Sequence, residues 1–256
     1  MKAKREKGKL LRVRAGIVPG LFTMANMFCG YYSVILSCQG KFITAAWLIV
    51  AAAVLDVLDG KLARLTQSSS DFGVQYDSLA DVISFGIAPS MLSYYVFFQN
   101  WGTIGLLLSF VPLVFGSIRL ARFNIRLVGH DKKHFEGLPS PAAAITIATF
   151  VIFSFDAWGL LQWSKVFLGV ILLVSLLMIT LIRYETMPNF SLHSSRANRL
   201  KILSVVIALL VLLFFPQEAF FPLAMVYVLS GPLRVIWLLV ASNNDRESTE
   251  EKENKE

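Results

Sequence analysis

The chain has 256 residues, of which 55% are hydrophobic and only 16% are charged. This composition has too much apolar surface for a soluble globule and predicts a polytopic membrane protein. The net charge of +7 does not indicate nucleic-acid binding, because seven of the Lys and Arg residues precede the first apolar segment and most others fall in short loops. We therefore expect membrane lipid, and no nucleic acid, as a partner of the basic residues.

Apolar segments follow one another along the chain at the length of membrane helices, which need about 20 residues. They cover 16–38, 42–64, 72–98, 103–127, 138–159, 164–183, 200–215 and 218–241. The pattern predicts an all-α bundle of about eight transmembrane helices, a six-helix catalytic core and two C-terminal helices. Only Pro216, Gln217 and Glu218 separate the last two segments, so a re-entrant hairpin is the alternative for that pair.

The positive charges predict the orientation of this bundle. If the N-terminus is cytoplasmic, the loops on the cytoplasmic side hold most Lys and Arg, whereas the outer loops hold only Lys41 and Lys165. We expect both termini on the cytoplasmic side. Three parts follow: a basic cytoplasmic arm at 1–15, one transmembrane domain at 16–241, and a disordered cytoplasmic tail at 242–256.

Four acidic residues interrupt the apolar sequence at the cytoplasmic ends of two helices. Asp56 and Asp59 end the second predicted helix, and Asp77 and Asp81 lie within the first three turns of the third. Spacings of three and four residues place each pair on one face of its helix. Because one short loop joins the two helices, we expect the four carboxylates to converge.

A cluster of this kind needs positive charge. A charged side chain at the bilayer centre costs about 2.5 to 3.5 kcal/mol, and Lys61 and Arg64 can offset only part of the negative charge. Oxygen ligands without His or Cys nearby favour Mg²⁺ or Mn²⁺, and two ions sharing four carboxylates can bind a phosphate group. The alternative is structural, with single acids paired to cations on neighbouring helices.

Other unusual residues surround the acids. Gly60 and Gly73 each cost about 1 kcal/mol in a helix interior relative to Ala, and they permit either close helix contact or a ligand against the backbone. Arg64, one turn after Gly60, can contact a diphosphate bidentately. Thr23 and Asn26 in the first helix either line the same site or form an interhelical hydrogen bond.

The acidic stretch resembles a known family signature. Its fixed positions and all intervening spacings are similar to those of the CDP-alcohol phosphotransferases, membrane enzymes that exchange the CMP of a CDP-linked lipid for an alcohol. The matching positions are Asp56, Asp59, Gly60, Ala63, Arg64, Gly73, Asp77 and Asp81.

The resemblance implies a role for each position. Asp56, Asp59 and Asp77 are expected to hold two metal ions, and Asp81 to act as general base while also contacting a metal. Gly60 and Arg64 are expected to contact the CDP-lipid, together with a loop hydroxyl that we assign to Ser70.

Further stretches resemble one subfamily, the phosphatidylserine synthases of bacterial and archaeal membranes. They are TMANMFCG at 23–30, SFGIAPS at 84–90, RLARFN at 119–124 and FEGLPSPAAA at 135–144. This resemblance implies that CDP-diacylglycerol and L-serine are the substrates and that phosphatidylserine and CMP are the products. It also implies a homodimer.

The residues themselves leave the acceptor alcohol open. The carboxylate of serine needs a cation near the metals, and Arg119 and Arg122 lie three residues apart at a cytoplasmic helix end, with Asn124 just beyond. Either arginine is alternatively a positive-inside anchor. A glycerol 3-phosphate or inositol phosphate acceptor would need a denser basic pocket, which the same arginines could supply.

Two other classes of protein use intramembrane acids. An intramembrane prenyltransferase also holds Mg²⁺ and a diphosphate on aspartate motifs, although its acids are spaced differently. A cation transporter usually has broken helices or paired repeats near mid-membrane, whereas these acids cluster at one side. Both remain alternatives that an assay of CMP release distinguishes.

Overall fold

The computed structural model describes residues 2–65, 71–128, 137–159, 163–182, 184, 207–208 and 210–253. All regular secondary structure in these ranges is helical, and they contain no strand. The predicted all-α class is therefore confirmed.

Eight helices longer than one turn organise the described chain. They are α1 (Lys2–Cys38), α2 (Phe42–Leu65), α3 (Asp71–Asp81), α4 (Ala88–Ser93), α5 (Gly102–Val128), α6 (Ser140–Trp158), α7 (Ser164–Ile179) and α8 (Pro216–Glu253). A π-helical turn, Val82–Ile87, joins α3 to α4, and a second one, Tyr94–Phe98, leads into a 3₁₀ turn at Gln99–Trp101. Residues 207, 208 and 210–214 are also helical.

Five helical runs are long and apolar enough to cross a membrane: Gly20–Cys38, Phe42–Leu65, Phe72–Ile125, Ser140–Trp158 and Pro216–Leu238. The third has 54 residues and reverses at Gly102, whose φ is 58°. Its two halves pack against each other, in agreement with the prediction of two separate helices at 72–98 and 103–127. A polytopic membrane bundle is thus confirmed, while the total of eight spans stays a prediction because 185–206 lies outside the described residues.

Helix α2 lies at the centre of the bundle and packs against both α1 and α6. Its buried face consists mainly of alanine, with Ala45, Ala46 and Ala52 fully buried. Small side chains let membrane helices approach closely, and the Ser33 hydroxyl donates to the Ala45 carbonyl oxygen at 2.8 Å across the α1–α2 contact. The hairpin closes through Gly40, where φ is +75°. This packing holds the end of α2 beside α1.

Helices extend into both ends of the described chain. Helix α1 begins at Lys2, within the predicted basic arm, and α8 continues to Glu253 through the tail that we expected to be disordered. Lys, Glu and Arg are good helix formers, and a helix that extends an existing one avoids the cost of nucleation. The division into arm, domain and tail stays a prediction.

The π turn after Asp81 has a cause in the sequence. Pro89 has no N–H for the carbonyl of residue 85, and its ring would collide with that carbonyl in a regular helix. The chain widens before it, so that the Ala88 N–H donates to the Ile83 carbonyl oxygen, five residues back. The π turn begins directly after Asp81, and π-helical turns occur frequently at functional sites.

Candidate active site

The carboxylates of α2 and α3 converge at one end of the bundle, where α2 ends and α3 begins; this is called the site end below. Asp56, Asp59 and Asp77 each present one oxygen atom, and these atoms lie within 4.8 Å of one another. Asp59 is buried, at 5% exposed, and the other two are half-buried. The predicted convergence of the two helix faces is therefore present in the fold.

Asp81 belongs to the same cluster. Its side chain lies within hydrogen-bonding contact of Asp56 and interacts electrostatically with Asp59 and Asp77. One oxygen of Asp77 and one of Asp81 are buried with no hydrogen-bond partner among the described residues. A buried acceptor that lacks a donor costs about 1 to 3 kcal/mol, so these oxygens suit a cation.

Thr23 and Asn26 of α1 face this cluster in different ways. The Thr23 hydroxyl donates to Asp59 Oδ2 at 2.8 Å, so it forms an interhelical hydrogen bond and that bond orients a site carboxylate. Asn26, one turn further along, is fully buried, and neither its amide nitrogen nor its amide oxygen has a partner in the described part of the chain. A buried amide with both ends unpaired is expensive, which favours a ligand-facing role.

Ser84, on the π turn, fixes the position of Asn26. Its hydroxyl donates to the Asn26 backbone carbonyl oxygen at 2.9 Å. A Cβ at Gly30 would fall 2.6 Å from Ser84 Cα, so only glycine permits this approach of α1 to the π turn. Ser84 was missed as a functional residue, although it belongs to the SFGIAPS stretch.

Three residues predicted to contact a CDP-lipid, Gly60, Arg64 and Gly73, lie on the same two helices as the acids. Within the described parts of the chain, nothing lies within 4 Å of the position of a Cβ at Gly60, so close contact with a described helix does not explain this glycine. The Arg64 Nε donates to the Gly60 carbonyl oxygen at 2.9 Å, which holds the exposed arginine along α2. Gly73 is exposed on α3, and Ser70 lies outside the described residues.

The cationic side of the site is formed by Arg119 of α5. This arginine is only 8% exposed, its Nη1 donates to the Ser140 hydroxyl at 3.1 Å, and its charge acts on Asp81. Its Nε is buried with no partner among the described residues. One guanidinium cannot offset four carboxylates, so the site has room for further positive charge.

Arg122 and Asn124 lie in other surroundings than Arg119. Arg122 is exposed and its Nη1 donates to the Ile179 carbonyl oxygen at 3.2 Å, at the end of α7. The Asn124 amide nitrogen donates to the Ser78 hydroxyl of α3 at 3.0 Å. The three-residue spacing thus did not bring both arginines into one environment, because α6 covers Arg119 and α7 ends beside Arg122.

Two partners of Arg119 were missed in the sequence. The first is Ser140, the first residue of α6, which belongs to the FEGLPSPAAA stretch. The start of α6 is held in place by Gly137, whose N–H donates to the Ile182 carbonyl oxygen at 2.9 Å. Tyr227 of α8 lies in the neighbourhood of Arg119, although it is more than a hundred residues away in the sequence. No local pattern marks Tyr227, since it lies in an apolar helix like many other aromatic residues.

The donor set at the site end fits a hard divalent cation. It consists of carboxylate oxygens gathered in one place, two of them buried and unpaired within the described residues. Mg²⁺, Mn²⁺ and Ca²⁺ prefer oxygen ligands, whereas zinc and copper sites usually contain His or Cys. The chain therefore has an aspartate cluster able to bind a metal ion.

Comparison with known proteins agrees with this geometry. A sequence model described as CDP-alcohol phosphatidyltransferase matches residues 16–171, which include all four acids and Arg119. A CDP-diacylglycerol–serine O-phosphatidyltransferase of Helicobacter pylori (strain J99) is 40% identical over 227 residues, 88% of this chain and 93% of that protein.

Two further relatives come from other organisms. An archaetidylserine synthase of Methanothermobacter thermautotrophicus is 38% identical over 65% of this chain and 69% of its own length. A CDP-diacylglycerol–serine O-phosphatidyltransferase of Saccharomyces cerevisiae is 40% identical over 46% of this chain and 48% of its own length. With five helices able to cross a membrane and the family match over more than half of its length, the chain is an integral membrane enzyme that belongs to the CDP-alcohol phosphatidyltransferase family.

Proposed function

We propose that this enzyme transfers the phosphatidyl group of CDP-diacylglycerol to the hydroxyl of L-serine, giving phosphatidylserine and CMP. The proposal rests on one observation: an aspartate cluster and a buried arginine lie at the same end of the bundle. The Nε of that arginine has no partner among the described residues. The first suits a diphosphate with its cations, and the second suits the carboxylate of an amino acid. Similarity to serine phosphatidyltransferases over most of the chain supports the same acceptor.

Asp56, Asp59 and Asp77 would hold two divalent ions, Mg²⁺ or Mn²⁺, with Asp81 contacting one of them. When bound, such ions would neutralise negative charge on the diphosphate. Thr23 keeps Asp59 oriented through its hydrogen bond. Gly60, Gly73, Arg64 and Ser70 would contact the CDP group. Asn26 would donate its unpaired amide from the inner side of the cluster.

Asp81 would act as general base. It accepts the proton of the serine hydroxyl as the hydroxyl oxygen forms a bond to the phosphorus that carries diacylglycerol. The bond from that phosphorus to the bridging oxygen breaks, and its electron pair leaves with CMP. A positioned base of this kind accelerates a reaction by about 10²- to 10⁴-fold.

Arg119 would bind the carboxylate of serine. It is buried, already directed by Ser140, and adjacent to the proposed base. Arg122 and Asn124 already donate to protein partners, so we propose that they shape the entrance of the pocket rather than its centre. The acceptor then lies between Asp81 and Arg119, which places its hydroxyl beside the base.

The reaction would take place at the cytoplasmic side. Serine and CMP are water-soluble, whereas the acyl chains of the lipid have to stay between helices, so the site should lie at a membrane surface. The positive-inside distribution supports a cytoplasmic position of this surface and of both termini. The proposed assembly is a homodimer, as the family resemblance implies.

The test is an acceptor panel with purified protein in detergent. CDP-diacylglycerol is supplied with L-serine, glycerol 3-phosphate or an inositol phosphate, and CMP release is measured together with the mass of the lipid product. Among these acceptors, we expect only serine to give CMP and phosphatidylserine. We expect both products only after Mg²⁺ or Mn²⁺ is added to enzyme that was treated with a chelator. Activity with glycerol 3-phosphate and none with serine would overturn the choice of acceptor.

A further inference from the structure

The environment of Arg119 is completed by a helix outside the matched family region. Its Nη1 is bound to Ser140 of α6 and its charge acts on Asp81, while Tyr227 of α8 interacts with it electrostatically. Residues 16–171 carry the family match, so α8 lies beyond it. The four acids of the site therefore lie inside the matched region, and so does Arg119. Tyr227, a neighbour of Arg119, lies outside it.

Ring contacts fix the direction of α8. Phe221 packs edge-on against Phe150 of α6 at 5.1 Å between ring centroids, and Phe220 contacts Trp47 of α2 at 6.1 Å. Phe150 lies ten residues beyond Ser140, roughly 15 Å along α6. Tyr227 lies six residues after Phe221, roughly 9 Å along α8. Near the start of α6, Gly137 donates to the Ile182 carbonyl oxygen, and Tyr184, two residues later, donates to the Val228 carbonyl oxygen of α8. Helix α8 therefore runs antiparallel to α6 and brings Tyr227 to the site end.

Tyr184 holds this part of α8 in place. Its hydroxyl donates to the Val228 carbonyl oxygen at 2.9 Å, and its ring centroid lies 5.6 Å from that of Tyr227. A Cβ at Gly231 would fall 2.5 Å from Tyr184 Cζ, so a larger residue at the next turn of α8 would displace the Tyr184 ring. Tyr184 is buried while Tyr227 is half-buried. The Tyr227 ring is thus fixed from one side and keeps some accessible surface.

We propose that Tyr227 is a specificity-determining residue of the acceptor pocket, where its hydroxyl and Arg119 together recognise the carboxylate of the amino-acid acceptor. This inference rests on the proposed function, because it takes serine as the alcohol. A phenol O–H donates to one carboxylate oxygen while the guanidinium donates to the other. Helix α8 then forms one wall of the acceptor pocket.

The experiment compares the Tyr227→Phe variant with the wild-type enzyme in full-length protein. Loss of one hydrogen bond to a charged group should raise the KM for serine about 10-fold, while kcat at saturating serine and the KM for CDP-diacylglycerol stay within about 2-fold. Tyr31→Phe, an exposed tyrosine on α1, is the matched control and should leave all three constants unchanged. A structural role would lower the melting temperature and change kcat and both KM values together.

A double-mutant cycle with Arg119→Lys tests whether the two residues act on one group. If both bind the same carboxylate, the combined rise in serine KM should differ from the product of the single effects. A Tyr227→Phe enzyme with wild-type serine KM, or strictly multiplicative effects, overturns the inference and leaves the proposed function standing. Wild-type protein that releases CMP with another alcohol and not with serine overturns both.

Discussion

The acidic and the cationic halves of the site are built in opposite ways. The acids come from two consecutive helices within 26 residues, Asp56 to Asp81, and their three- and four-residue spacings alone place them on facing surfaces. Arg119 instead depends on Ser140 of α6 and Tyr227 of α8, with Tyr184 behind it. Local periodicity therefore specifies the acidic half of the site, and long-range packing specifies the cationic half.

The largest effect should come from the acidic half. Asp81→Asn keeps the size of the side chain but removes the proton acceptor, so kcat should fall about 10² to 10⁴-fold, while binding of CDP-diacylglycerol and metal stays largely intact. CMP release and calorimetry measure the two quantities. Asp156→Asn, an exposed acid at the opposite end of α6, is the control. Full residual activity in Asp81→Asn would remove Asp81 as the base.

A smaller effect is expected where a neighbouring helix orients an acid. Thr23→Val removes the hydrogen bond to Asp59 and should weaken Mg²⁺ or Mn²⁺ binding about 10- to 100-fold. Ser33→Ala is the matched control, because Ser33 also donates from α1 to α2 but far from the acids. Metal titration of activity measures both variants. Equal metal affinities in the two variants would show that the Thr23 bond serves helix packing alone.

The cationic half predicts that two neighbouring arginines behave differently. Arg119→Gln should raise the serine KM about 10- to 100-fold, since it removes a charged hydrogen-bond donor. Arg122→Gln should change the serine KM only about 2-fold, because Arg122 is exposed and bound to the end of α7. Steady-state kinetics with varied serine distinguish them. An Arg122 effect as large as that of Arg119 would contradict the separation of their environments.

The smallest effect concerns the support behind Tyr227. Burial, and secondarily Tyr227, raises the pKa of Tyr184 from 10.0 to about 12. The neutral hydroxyl donates to Val228, so Tyr184→Phe should lower the free energy of unfolding by about 0.5 to 1.5 kcal/mol. Because the pKa of Tyr184 is higher in the folded than in the unfolded state, its stabilising contribution is complete below pH 10. This contribution is lost as pH rises towards 12.

The difference in thermal stability between wild type and Tyr184→Phe, measured in detergent at several pH values, tests this statement. It should be constant below pH 10 and shrink between pH 10 and 12. Tyr31→Phe supplies the baseline for an exposed tyrosine. A difference that does not change across this range would mean that Tyr184 ionises at the same pH in the folded and unfolded states.

Several features of the protein follow from the sequence alone. Long apolar segments predict the all-α membrane bundle, and the helical period predicts the meeting of Asp56, Asp59, Asp77 and Asp81. Both are local properties, since a helix needs only its own residues to satisfy its backbone in lipid.

Only the tertiary structure separated Arg119 from Arg122, assigned the Thr23 hydroxyl to Asp59, and brought Tyr227 of α8 to the arginine. These outcomes depend on which helices become neighbours. Apolar helix faces resemble one another in sequence, and the choice among them is made by close packing of small residues such as Ala52 and Gly231 over the whole bundle.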